Sequence, residues 1–185
     1  MHVRTEASAE QAATSPVSWP EEIFAILKRF EVRQVPYVPD AGHAQLINRV
    51  LGEPSMRGVP LTTEEEGIAL MLGAWAGGQR SALLMQSSGV GNCINMLSLT
   101  KIFSFPFLTL VTMRGEWGEF NPWQVPMGSN TQGVLELSGV SVLRASHPGE
   151  VPEVMEAAAS QAYNALTPTA MLLSQRLIGT KVFVK

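Results

Sequence analysis

The sequence is poor in several residues on which whole classes of function depend. Its single cysteine, Cys93, excludes an intramolecular disulfide and a thiolate metal cluster built from this chain alone, which fits a reducing compartment. Three histidines, His2, His43 and His147, are too scattered to outline a zinc site, and no metal ligands are assigned. There is no basic surplus either. The 13 Lys and Arg residues stand against 16 Asp and Glu, a net charge of -3, so neither nucleic acid nor a membrane surface is an expected partner. No apolar run approaches the ~18 residues of a membrane span. The opening MHVRTEASAEQAATSPVS lacks the apolar stretch of a secretory signal, and Glu6 and Glu10 argue against an organellar transit peptide. A cytoplasmic protein is expected. What remains is a chain of 185 residues, 45% hydrophobic and 16% charged, enough for one well-buried core. Residues 1–17 read as a flexible extension and residues 18–185 as the domain.

Along that domain, helix and strand signals alternate. Ser18 is placed to cap a helix with Pro20, Glu21 and Glu22 in its first turn. A strand at 32–37, a helix at 43–51 stopped by Gly52, and an extended piece near 58–61 follow. A helix from Thr63 to Gly77 or Gly78 leads to the short apolar strand SALLMQ, 81–86. A glycine loop at Gly89 to Gly91 then precedes a helix expected near 94–101, and PFLTLVTM at 106–113 is the clearest strand. Between Arg114 and Ser129 the pattern reads as a loop, long for an idle connection, before a short helix at about 131–137. Strands at 140–145 and 169–175 flank a helix at 151–165, and KVFVK closes the chain. This alternation predicts an α/β fold, a doubly wound, mostly parallel sheet with helices on both faces, whose ligand groups sit after strand C-terminal ends.

Three segments carry candidate chemistry. In Thr62-Thr63-Glu64-Glu65-Glu66-Gly67, one reading is a capping box, with Thr63 as N-cap, Glu66 as its reciprocal partner and the other carboxylates complementing the helix dipole. Successive helical residues are rotated by about 100°, however, so the three carboxylates cannot all face water. One that turns inward before the apolar run Ile68 to Leu72 is set to share or donate a proton. In MQSSGVGNCINML, a strand delivers Gln86, Ser87 and Ser88 to Gly89, Gly91 and Asn92, a structural turn or a binding loop. It lacks the Lys-Ser/Thr of a P-loop. Cys93 there reads as a buried small hydrophobe. In TMRGEWGEFNPWQVPMG, Arg114 leaves a buried strand with a fork that suits Glu116, Glu119 or a ligand anion, and Trp117, Phe120 and Trp123 are set to cover a cleft or meet a partner.

Taken together, VPYVPDAG at 35–42, PLTTEEEGIALMLGAWAGG at 60–78, LLMQSSGVGN at 83–92, MRGEWGE at 113–119 and NPWQVPMG at 121–128 resemble the pyrimidine-binding domain of thiamine-diphosphate-dependent 2-oxo acid decarboxylases. The likeness is to the sulfopyruvate and phosphonopyruvate decarboxylase branch. It spans about residues 19–175. It implies that a glutamate at the start of a helix meets N1' of the aminopyrimidine. Glu64, with Gly67 and Gly73 at the family spacing, is the match, and Glu65 and Glu66 are its neighbours in register. It further implies that Gln86, Ser87, Ser88, Gly89, Gly91 and Asn92 line the pyrimidine side of the cleft. Asp40, followed here by Ala41 where the family often has serine, would stand near the reacting carbons, with His43 and Arg114 as substrate-binding candidates.

The same resemblance exposes an omission. The chain has no GDG with a downstream asparagine, the motif that holds Mg²⁺ and the diphosphate in this superfamily. A beta subunit carrying that half, an alpha-beta hetero-oligomer and a small anionic 2-oxo acid substrate are therefore implied. The rival is a non-catalytic α/β interaction module that uses the tryptophan-rich segment to bind another protein.

Overall fold

Local sequence sets the frame of the molecule. Helix α1 (Trp19–Arg29) has Pro20, Glu21 and Glu22 at its start and Lys28 and Arg29 at its end, an order that complements the helix dipole, and it buries Ile23, Phe24, Ile26 and Leu27. Strand β1 (Val32–Tyr37), a 3-10 turn (Ala41–His43) and α2 (Ala44–Leu51) follow. Then come β2 (Arg57–Pro60), α3 (Glu64–Ala76), β3 (Arg80–Ser81), β4 (Leu83–Gln86), α4 (Ser87–Cys93) and α5 (Ser98–Phe103). The chain continues through β5 (Leu108–Thr112), α6 (Val125–Leu137), β6 (Ser141–Ala145), α7 (Val151–Tyr163), β7 (Thr169–Leu173) and α8 (Gln175–Ile178). This computed structural model describes residues 18–179, so the extension expected at 1–17 and the KVFVK tail lie outside the described residues.

The strands form one parallel sheet in the order β2-β1-β4-β5-β7-β6, with the short β3 also paired to β1. Because strand side chains alternate, each strand feeds two cores. Leu84, Leu108, Leu110, Met171 and Leu173 pack with α1, α2 and α7, whereas Leu83, Met85, Val111, Ala170 and Leu172 pack with residues of α3, α4 and α6. Each fully buried leucine contributes roughly 1.5–3 kcal/mol by leaving water, which is why the strands read as continuous apolar runs. The expected doubly wound architecture is the one observed.

Strand order reverses twice, and this positions the site. The chain steps outward from β1 to β2 and then crosses back to β4, so the segments after β1 and β4 diverge at their C-terminal ends. A second divergence lies between β5 and β7, because β6 is outermost.

Three stretches differ from the sequence reading, the first being the helix expected near 94–101, which begins only at Ser98 in α5 after turn residues 94–97. The Gly89 to Gly91 segment is not a loop before a helix; it is inside α4, and the chain passes from β4 into that helix at Ser87. Neither glycine has a positive φ. They serve close approach, not a turn. The expected loop from Arg114 to Ser129 is also regular from Pro122 onward, where a 3-10 turn (Pro122–Gln124) opens directly into α6, with Pro126 in a first turn that needs no N–H.

Candidate active site

The three consecutive glutamates at the start of α3 have separate fates. Thr63 makes no side-chain cap; its hydroxyl donates to the Glu65 carboxylate, and Glu66 Oε2 accepts from the Thr62 N–H at 2.9 Å. The expected Thr63–Glu66 capping box is thus replaced by a bond one residue earlier, because Thr63 is turned toward its i+2 neighbour. Glu64 points inward and is 8% exposed. Its Oε2 accepts from Asn92 Nδ2 of α4 at 2.8 Å. Beneath it lies Gly89, where a Cβ would fall 2.3 Å from Glu64 Oε1 and Cδ. Of the two glycines in the family spacing, Gly67 brings α3 down on Leu83, while Gly73 faces open space.

The Gly89 contact makes a test possible. Helix propensity alone expects Gly89→Ala to stabilise the protein by about 0.5–1 kcal/mol. The carboxyl in the way reverses the sign, and we expect a net loss of about 1–3 kcal/mol, as for an overpacked core, with the Asn92 bond broken. Chemical denaturation would decide; a more stable variant would show that Glu64 has room to move.

At the first strand divergence, Asp40 is gripped from three sides. Gln86 Nε2 donates to its Oδ1 at 2.9 Å, and Thr112 Oγ1 and the Gly42 N–H donate to Oδ2 at 2.7 and 3.0 Å. Ser88 Oγ donates in turn to Gln86 Oε1 at 3.0 Å. Burial works to raise the Asp40 pKa, yet the carboxyl is held below its ordinary value, with the Thr112 hydroxyl the largest lowering influence and the Gln86 and Gly42 donors adding to it. Asp40 is therefore an anion with a fixed orientation.

His43 and Cys93 do not join this group. The His43 ring is fully buried, with Nε2 3.1 Å from the Leu110 carbonyl and 3.3 Å from the Met85 carbonyl. Both contacts require a proton on Nε2. Burial lowers its pKa, so the ring is neutral at pH 7, and Nδ1 has no hydrogen-bond partner among the described residues. The 3-10 turn after Asp40 thus aims the ring of His43, a substrate-binding candidate from sequence, into the sheet, where it is fully buried. Cys93 is also buried, and burial together with the Glu64 and Glu65 carboxylates pushes its thiol up to about 12. It is a core residue.

After β5 the chain forms a strap along the second divergence. Ser87 Oγ accepts from the Arg114 N–H at 3.1 Å, which ties the start of α4 to the start of the strap. The Arg114 fork is not free for a ligand: Nε and Nη2 donate to Glu119 Oε2 and Oε1, both at 2.7 Å, in side chains 7% and 3% exposed. Glu116, the other partner considered from sequence, is held by Arg144 at 2.7 Å. Gly115, at φ +77°, permits the approach of the 3-10 turn, since a Cβ there would meet the Gln124 carbonyl at 2.2 Å. The strap brings Pro122 and Trp123 to a cavity of about 820 Å³ walled by Ser88, Gly91 and Asn92 on one side and Pro126 and Met127 on the other. That volume falls within the range of small-molecule sites.

Thus Ser88, Gly91 and Asn92 wall one cleft, Asn92 joins it to Glu64, and Gln86 joins Ser88 to Asp40, while the His43 ring is buried in the sheet and the Arg114 fork is closed on Glu119. Thr112, Arg144 and Gln175 escaped sequence reading, because single polar residues inside a strand or just past its end carry no distinctive spacing.

Comparison with known proteins gives this cleft a family. No protein-family profile matches the chain. It is 34% identical over 154 residues to the sulfopyruvate decarboxylase subunit alpha of Methanococcus maripaludis, covering 83% of this chain and 92% of that one. The chain belongs to the sulfopyruvate decarboxylase alpha-subunit family. Within that family, the subunit of Methanocaldococcus jannaschii is 32% identical over 81% of this chain and 89% of its own length. The phosphonopyruvate decarboxylase of Streptomyces viridochromogenes is 36% identical over 118 residues, 63% of this chain and 30% of that protein. Among solved structures, a 2-oxoglutarate:ferredoxin oxidoreductase from Magnetococcus marinus shares the fold, with a TM-score of 0.71 at 15% identity, over 88% of this chain and 29% of that one. Among the described residues, no helix is long and apolar enough to cross a membrane.

Proposed function

We propose that this chain is the alpha subunit of a cytoplasmic, thiamine-diphosphate-dependent decarboxylase that converts 3-sulfopyruvate to sulfoacetaldehyde and CO₂. The observation that carries the reading is Glu64, an inward carboxyl fixed by Asn92 over the bare backbone of Gly89. Its Oε1 accepts no hydrogen bond among the described residues, so the cradle fits the N1' edge of an aminopyrimidine. When bound, thiamine diphosphate supplies the carbon nucleophile and the electron sink for loss of CO₂. Glu64 then holds or shares a proton at N1', and Asn92 keeps its other oxygen from turning away. Ser88 and Gly91 shape the wall beside it. Asp40, ionised and fixed by Thr112 and Gln86, orients polar groups near the reacting carbons. Trp123, Pro122 and Met127 limit the access of water.

The distal anion of the substrate needs a cation. Arg114 is paired to Glu119, Arg144 to Glu116, and Arg176 lies 4.5 Å over the Trp117 ring. In this reading the beta subunit supplies the main anion contact, and Arg114 acts by shaping the strap. The beta subunit also holds Mg²⁺ and the diphosphate in an alpha-beta hetero-oligomer, consistent with the relatives named as alpha subunits. The match to phosphonopyruvate decarboxylases makes 3-phosphonopyruvate the comparison substrate.

A direct test is calorimetry with thiamine diphosphate and Mg²⁺, followed by a CO₂-release assay with each 2-oxo acid. The chain alone should bind the cofactor weakly and be inactive, and addition of a beta chain with the GDG motif should bring both tight binding and preference for 3-sulfopyruvate. Tight binding by the chain alone, or no CO₂ release by the complex, would overturn the assignment.

A further inference from the structure

Resting on that functional reading, we propose that Gln175 is a positioning residue for the decarboxylation. It latches the strap to the end of β7 and so sets the Trp123 wall of the cavity. Gln175 is 1% exposed. Its Oε1 accepts from the Glu116 N–H at 3.1 Å and the Trp117 N–H at 3.0 Å, and its Nε2 donates to Glu119 Oε2 at 2.9 Å. Its own backbone N–H donates to Glu116 Oε1 at 2.9 Å. One side chain must therefore accept from two backbone donors and donate to a carboxylate. A carboxamide does both from two separate atoms, its oxygen toward the N–H groups and its nitrogen toward the carboxylate, and asparagine is one methylene shorter.

The latch reaches the cavity through the strap's own bonds. Glu119 Oε1 accepts from the Asn121 N–H at 3.0 Å, and Asn121 Oδ1 accepts from the Trp123 N–H at 3.1 Å. Trp123 is 82% exposed, so packing of its ring does not fix its place. Its position is set by the anchored segment before it. A misplacement of about 1 Å in a positioning element can cost roughly 10²-fold in rate, so a buried amide remote from the cleft has leverage on the chemistry.

The test uses the full-length chain assembled with its partner subunit and two variants. Gln175→Met keeps the volume and removes all three side-chain bonds. Gln175→Glu keeps an acceptor for the two N–H groups but sets a carboxylate against Glu119, and it carries the test alone should the methionine variant fail to assemble. In Gln175→Met, hydrogen exchange at the Glu116 and Trp117 amides should quicken by about tenfold or more while the amides of β5 and β7 keep their protection. In both variants kcat/KM for 3-sulfopyruvate should fall by about tenfold or more, while proton exchange at the thiazolium C2 of the bound cofactor, the readout of the proposed Glu64 contact with N1', stays within about twofold of wild type. Unchanged exchange at 116 and 117, wild-type kcat/KM in both variants, or protection lost throughout β5 and β7 would each overturn the latch. So would a fall in C2 exchange that matches the fall in kcat/KM. A wild-type complex inactive on 3-sulfopyruvate overturns the substrate reading instead, and the amide exchange then decides the latch by itself.

Discussion

Replacing Glu64 by glutamine should slow proton exchange at the cofactor C2 by roughly 10²-fold or more in the assembled enzyme, the scale of losing a positioned acid-base group. The amide retains the size of the carboxyl and can still bond Asn92, which donates to Glu64 Oε2 at 2.8 Å, so the fold and the cleft should survive. Cofactor affinity should change less, because the diphosphate end is assigned to the beta subunit. Glu65→Gln and Glu66→Gln are the controls. Their carboxylates bond Thr63 and the Thr62 N–H, and removing such helix-end contacts costs about 0.5–2 kcal/mol in stability without touching C2. Exchange that stays fast in Glu64→Gln and collapses in Glu66→Gln would move the acid-base role to Glu66. Fast exchange in all three would remove it from the cluster.

Arg114→Met should destabilise the chain by about 3 kcal/mol or more at pH 7, since it strands the Glu119 carboxylate, 3% exposed, without its guanidinium. The pH dependence carries a sign that can be checked. Arg114 above all, against a smaller opposing effect of burial, holds the Glu119 pKa down to about 2 from an ordinary 4.5. A depressed carboxyl stabilises the folded state fully above about pH 4.5, and that contribution drains away as pH falls toward 2. The gap in stability between wild type and Arg114→Met should therefore narrow over that window. Urea denaturation across pH would measure it; a gap under about 1 kcal/mol that ignores pH would mark the pair as no better than a surface ion pair. Arg114→Lys keeps the charge and loses the fork, so kcat/KM should fall by about tenfold or more through a loosened strap.

Sequence alone determined the layered fold and which segments leave the strand ends. Short apolar runs bounded by glycine and polar residues, alternating with capped amphipathic stretches, admit little besides a parallel sheet covered on both faces, and that sheet is observed. The segments carrying Asp40, Glu64 and Gln86 to Asn92 were legible because turns and helix starts are local chemistry. Orientation was not. Three adjacent glutamates are equivalent in sequence, and only the backbone of Gly89, brought opposite by the packing of α4 on α3, makes room for one of them. His43 and Arg114 were read as ligand contacts from their places after strands. Tertiary structure turned the one into the sheet and closed the other on Glu119. The extent of α6 and the glycines within α4 were misread for the same reason, since local patterns mark glycine and proline as breaks and cannot register a neighbouring chain that needs the space. Gln175 lies 59 residues from Glu116, and a hydrogen bond between them exists only because β7 sits beside β5 in the sheet, so no spacing rule along the chain could have shown it.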